Sequence, residues 1–163
     1  MKNQTKFLTL IAMTLLFISS FTSCETKAKE ATIEPLFNLE TAKAEIEAAN
    51  MQFMTFFKAT DSVSVANLYT IDAKFMGNEA PSVTGRKNIQ STLSGLMNSG
   101  VTSINLKTIE VWGVENLITE EGEASLFAGE TEVFIGKYIV LWKKVDGKWK
   151  LFRDIFNSNS PAK

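Results

Sequence analysis

The chain has 163 residues, of which 45% are hydrophobic and 21% charged, with a net charge of −1. That size suits one domain with extensions, and the charge balance excludes a surface built to neutralise nucleic-acid phosphates, which needs a basic excess. There is no histidine and only one cysteine. This excludes the usual base near neutral pH, the Ser–His and Cys–His nucleophile systems, any His-containing metal site and an internal disulfide. Catalysis, if any, rests on carboxylates, tyrosines, lysines or backbone groups, and no cofactor or metal is implied.

Lys2 and Lys6 open the chain, and Phe7 to Phe21 is almost wholly apolar or hydroxylic. That run falls short of the roughly 20 residues of a membrane-spanning helix and fits the apolar region of a secretory signal. It ends in Phe21-Thr22-Ser23-Cys24, followed by polar Glu25-Thr26-Lys27. This resembles the lipobox of bacterial lipoproteins, of the loose Bacteroidetes type, with Phe21 where leucine is usual. In such a box the cysteine is lipidated and becomes the mature N-terminus. The expected organisation is a signal peptide over 1–23, lipidated Cys24 and a flexible tether over 24–37, and a folded domain over 38–160. The lipid would anchor an exported protein to a membrane, on the periplasmic or outer-membrane face. An ordinary cleaved signal and an uncleaved anchor are the alternatives.

Asn38 can cap a helix with Glu40 in its first turn. Leu39, Ala42, Ile46, Ala49, Phe53 and Phe56 then recur at spacings of three and four, which predicts an amphipathic helix to about Lys58. Asn50 falls at the edge of its apolar face, either lining a pocket or facing water. Asp61 can cap a short helix to about Leu68. A strand is expected over Ala73 to Met76, a loop over Gly77 to Ser82, and a third helix from Thr84-Gly85-Arg86 to Gly100, with Ile89, Leu93, Leu96 and Met97 on one face.

Beyond Gly100 the period shortens to that of strands. Strands are expected over Thr102–Trp112 and Leu117–Phe127, with Gly113–Asn116 as turn, a kink at Gly122 and a loop over Ala128–Glu132. Glu121 and Glu123 would share one, solvent-facing side. Gly136 to Ser158 then reads as two aromatic-rich arms around Asp146-Gly147, the strongest short-range hairpin signal. Tyr138, Val140 and Trp142 share one face of the first arm. Lysines 143, 144, 148 and 150 cluster at the tip, where they read as a solvated end. Helices first and a strand meander last imply an α+β fold, with three helices packed on one face of a curved antiparallel sheet.

Several stretches carry a resemblance to a known superfamily. They are Asn50 with Phe53, Asp61 with Leu68-Tyr69-Thr70-Ile71-Asp72-Ala73, Val83-Thr84-Gly85-Arg86 with Ile89, Gly136-Lys137-Tyr138, Trp142-Lys143-Lys144, Asp146-Gly147-Lys148-Trp149-Lys150-Leu151, and Asp154. Spread from Leu39 to Ser158, they resemble the nuclear-transport-factor-like (NTF2-like) superfamily, which includes ketosteroid isomerase and SnoaL-like polyketide cyclases. Within it the domain-of-unknown-function 4440 family is the nearest in pattern. The resemblance implies a cone-shaped, cystatin-like α+β roll with a cavity at its open end and a dimer through the outer sheet face. In enzymes of this kind a carboxylate base sits in the cavity beside a tyrosine or second acid, as in ketosteroid isomerase.

Asp154 lies between Phe152 and Phe156, and in a regular strand all three share a face. It is the candidate base, with Tyr69 as donor; a structural ion pair is the competing role for Asp154, and plain packing for Tyr69. The expected ligand-binding set is Asn50, Phe53, Tyr69, Trp142, Phe152, Asp154 and Phe156, with at least two of the aromatic residues of the last hairpin as plain core. Asp61 and Asp72 read as a helix cap and a turn former. Three functions are open: a tethered module that binds a small, mostly apolar molecule, an isomerase-, cyclase- or dehydratase-type enzyme, and a homodimeric accessory protein with a vestigial cavity.

Overall fold

The computed structural model describes residues 37–160. The signal segment, Cys24 and the tether up to residue 36 lie outside them. Among the described residues no helix is long and apolar enough to cross a membrane.

Helix α1 spans Leu39–Lys58 and begins where the sequence places its cap: Thr41 N donates to Asn38 Oδ1 at 2.9 Å. Ala42, Ile46, Asn50, Phe53 and Phe57 form its buried stripe. Each large apolar member contributes about 2 kcal/mol by leaving water. Helix α2 is Ser62–Ala66, with Ser64 N donating to Asp61 Oδ1. Helix α3 is Arg86–Asn98 and buries Ile89, Leu93 and Met97, one residue per turn. Gly85 enters it at φ 89°, a conformation that favours glycine, while its N–H donates to Ala73 O.

The strands are β1 (Tyr69–Met76), β2 (Val83–Thr84), β3 (Ser103–Val114), β4 (Leu117–Ala128), β5 (Thr131–Val145) and β6 (Lys148–Ser158). They form one six-stranded sheet in the order β2-β1-β6-β5-β4-β3. The last four make the expected antiparallel meander, and the helices pack on its inner face, so the α+β class holds. Asp146 and Gly147 both have positive φ, 50° and 74°, as a two-residue hairpin turn of the primed kind requires.

Three boundaries differ from expectation. β1 begins at Tyr69 rather than Ala73, because it pairs in parallel with β6, opposite Leu151; that partner is remote in sequence. β3 runs through Gly113 to Val114, and the loop expected over Ala128–Glu132 shrinks to two residues as β5 starts at Thr131. The irregularity expected at Gly122 lies on the partner strand. Register shifts between Thr108 and Glu110, so Ile109 bulges outward and Val111 turns in. Gly122 has another reason to be glycine: a Cβ there would stand 2.1 Å from Cζ of Tyr138, whose ring lies over it.

A second bulge decides the site. In the β5–β6 ladder Leu141 faces Arg153 but Trp142 faces Leu151, which leaves Phe152 without a partner. Trp149, Leu151, Asp154 and Phe156 therefore share the inner face, and Phe152 is turned outward.

Candidate functional site

The inner face of the meander is arranged in rows. Asp154 on β6, Val140 on β5 and Glu120 on β4 are successive register partners. Phe156, Tyr138 and Gly122 form the next row. Two carboxyl groups thus stand on one wall, separated by Val140 and by two strand spacings, about 10 Å.

Above this wall, beneath α1 and α3, is a cavity of about 70 Å³. It has room for on the order of five water-sized groups. Its lining is apolar apart from Asn50, Tyr138 and Asp154. Phe156 closes one side against Phe75 and Phe134, with ring centroids 5.3 and 5.9 Å away.

The donor groups of Asn50 and Tyr138 are committed elsewhere. Both donate to Glu120 Oε1, the Asn50 amide at 2.7 Å and the Tyr138 hydroxyl at 2.8 Å. Thr108 donates to the same oxygen at 2.7 Å, and Trp142 Nε1 donates to Oε2 at 2.8 Å. Glu120 is fully buried, yet both its oxygens are satisfied without a cation. Burial first, and then the charge and bond of Glu120, push the Tyr138 hydroxyl far above its ordinary range; it stays a donor.

Asp154 differs. It is 8% exposed and accepts one hydrogen bond, from the Tyr69 hydroxyl to Oδ2 at 2.6 Å. No described residue donates to Oδ1. Burial raises its pKa from 3.8 to about 6; the Tyr69 bond opposes this and the Glu120 charge adds to it. Burial, followed by the charge and bond of Asp154, pushes Tyr69 well above the usual phenol range. Tyr69 is fully buried and its proton is directed at Asp154, so it orients the carboxyl and does not itself face the cavity.

Of the residues expected to bind a ligand, Asn50, Phe53, Asp154 and Phe156 line the cavity, and Tyr69 backs Asp154. Trp142 does not line it; the side chain is fully buried and holds Glu120. Phe152 does not either. The bulge places it on the outer face, with the Arg153 guanidinium 3.6 Å and the Lys143 amine 5.2 Å from its ring centroid. Asp61 is a cap, and Glu121 and Glu123 are exposed. Sequence reasoning missed Glu120. Its signal was the alternation Ile118, Glu120, Gly122, Ala124, which puts a carboxylate among small and apolar neighbours. Among the described residues no group of three or more acidic or cysteine side chains is placed to hold a metal ion.

No protein-family model matches the sequence, and neither does any curated protein. Solved structures do. A domain of unknown function with a cystatin-like fold from Nostoc punctiforme is 16% identical, at a TM-score of 0.67 over 76% of this chain and 81% of that one. An NTF2-like protein from Novosphingobium aromaticivorans, also with a cystatin-like fold, is 14% identical, at 0.62 over 76% and 86%. The chain has the NTF2-like fold. A ketosteroid isomerase-like protein from Erwinia carotovora is 23% identical, at 0.62 over 77% of this chain and all of that one. At such identities the likeness concerns the fold alone.

Proposed function

We propose that this NTF2-like domain holds a small, mostly apolar molecule in its cavity, with one polar group of the ligand meeting Asp154 Oδ1. The observation that carries the reading is the composition of the wall. The Asn50 amide N–H and the Tyr138 O–H are engaged by Glu120, whereas Asp154 Oδ1 has no described donor and is a carboxyl oxygen left for a ligand. Para-fluorophenol is a suitable probe: one ring and one hydroxyl. Its fluorine resonance should broaden on adding the protein. Ala124→Leu, which places bulk in the lining, should abolish the effect, and equal broadening in that variant would rule the cavity out.

A second reading is proton transfer of the isomerase or cyclase kind. It is favoured by a carboxyl with a pKa of about 6, suited to taking and returning a proton near neutral pH. Asp154 would then be the catalytic base and Tyr69 its positioning residue. The described likeness to a ketosteroid isomerase-like protein accords with this reading. Solvent deuterium entering a bound cyclic ketone would support it, and no uptake beyond the rate with Asp154→Asn would sink it.

The tether and the dimer are also proposals. Export and lipidation at Cys24 rest on the sequence pattern; Cys24→Ala should abolish fatty-acid labelling, and equal label would refute the lipobox. The dimer rests on the outer sheet face, where Trp112, Ile135 and Ile155 are 41–49% exposed. Light scattering on the chain from Pro35 onward should give twice the monomer mass, and a monomer at tens of micromolar would oppose it.

A further inference from the structure

On the opposite side of the sheet from the cavity, a hollow of about 680 Å³ opens between the start of β1, the first residue of α3 and the tip of the β5–β6 hairpin. Four cationic side chains border it: Arg86 from α3, and Lys143, Lys148 and Lys150 from the hairpin. Asp72 and Asp146 also border it, which leaves two positive charges in excess. The sequence suggests only a solvated tip, because Arg86 is remote from the lysines along the chain.

Two features distinguish the hollow from a tip kept soluble by charge. First, none of the four cations makes an ion pair, although Lys143 is near enough for Asp72 to feel its charge. Among the described residues the only ion pair joins Lys107 to Glu123. Second, two of the cations are held in place. Arg86 donates from Nε at 2.9 Å and from Nη2 to the carbonyl of Tyr69, and Lys150 donates from Nζ at 2.7 Å to the carbonyl of Asn67. Carbonyls orient these groups without cancelling their charge, and each keeps further N–H donors. Thr70, 5% exposed, also borders the hollow with its hydroxyl buried and unpartnered. The Asp72 carboxylate is near enough to feel that hydroxyl but does not meet it in hydrogen-bonding geometry.

We propose that this hollow is a second binding site, taking the phosphate monoester group of a soluble small molecule or of a lipid headgroup. A dianion matches the excess of two charges, and an oriented guanidinium beside ammonium groups is the donor set that such tetrahedral oxyanions accept. The site has room for more than the phosphate itself. Lys150 is already held below its ordinary pKa by burial and by the positive charges of Arg86 and Lys148; a bound dianion would relieve that repulsion.

The test uses the full chain in neutral detergent micelles, with amide resonances of Thr70, Lys148 and Lys150 as readout. One arm adds inorganic phosphate against sodium chloride of matched ionic strength. The other dopes the micelles with phosphatidic acid against undoped micelles. The expected result is a saturable shift at these amides in at least one arm, the responding arm naming the source. Lys143→Gln with Lys148→Gln should weaken it roughly tenfold, the effect of losing two cation contacts at a partly exposed site, whereas Lys58→Gln, at the end of α1, should leave it unchanged. Both lysines are exposed and make no hydrogen bond that the fold needs. No shift in either arm, a shift reproduced by chloride, or equal affinity in the double variant would overturn the proposal.

Discussion

Glu120→Ala should be among the most damaging single substitutions in this domain, at about 3–5 kcal/mol. The carboxylate accepts from Asn50, Thr108, Tyr138 and Trp142. The two hydroxyls can rotate toward other acceptors, but the Trp142 indole and the Asn50 amide have little freedom to do so. Each buried donor left unmet costs about 1–3 kcal/mol, and the lost side chain leaves a void besides. A domain of this size has only about 5–15 kcal/mol to lose. Glu120→Gln is the informative control. Its carbonyl oxygen can replace Oε1, but its amide then faces the N–H of Trp142, so the indole donor and the new amide donors go unmet, at about 1–3 kcal/mol each, with no void left behind. Urea titration measures both. A loss below about 1 kcal/mol for the alanine variant would show that the cage does not form, and the cavity wall it organises through Asn50 and Tyr138 would have to be reconsidered.

Asp154→Asn should have the opposite sign near neutral pH. The carboxyl titrates near pH 6 when folded, against a reference of 3.8. The folded state thus holds this proton more tightly than the unfolded chain. Asp154 favours folding fully below about pH 4, and the advantage is lost as pH rises through about 6. The difference corresponds to about 3 kcal/mol. Asparagine has nearly the same shape and can still accept from Tyr69, but it does not titrate. The variant should therefore match the wild type near pH 4 and exceed it by about 2–3 kcal/mol at pH 8, in paired urea titrations. The reverse pattern, a cost above about 2 kcal/mol at pH 7 with little at pH 3, would make Asp154 a charged structural partner and remove it from the site.

Local features were legible in the sequence because local chemistry causes them. Asn38 and Asp61 cap the helices they precede, Asp146-Gly147 turns the hairpin, and the stripe through Ala42, Ile46 and Phe53 faces the sheet, although it ends on Phe57 where Phe56 was expected. Features set by partners far along the chain were not legible. Tyr69 meets Asp154 across 85 residues, so its role as an orienting group was hidden behind that of a ligand donor. The parallel pairing that starts β1 early is of the same kind. Bulges were the other source of error. Period-two counting put Phe152 with Asp154 and Phe156, and one unpaired residue at 152 reversed its side while leaving the other two inside. Glu120 could have been found by the same counting, from Ile118 through Ala124. Attention to the exposed pair Glu121 and Glu123 concealed the carboxylate that their own alternation turns inward.

The apolar cavity has in its wall a carboxyl group, Asp154, whose burial moves its change of protonation toward neutral pH. Carbon-13 NMR of the Asp154 side-chain carboxyl, followed from pH 3 to pH 8, tests it directly. The structure predicts a single step centred near pH 6. A midpoint at or below about 4, the range of a solvated or ion-paired carboxylate, would contradict it.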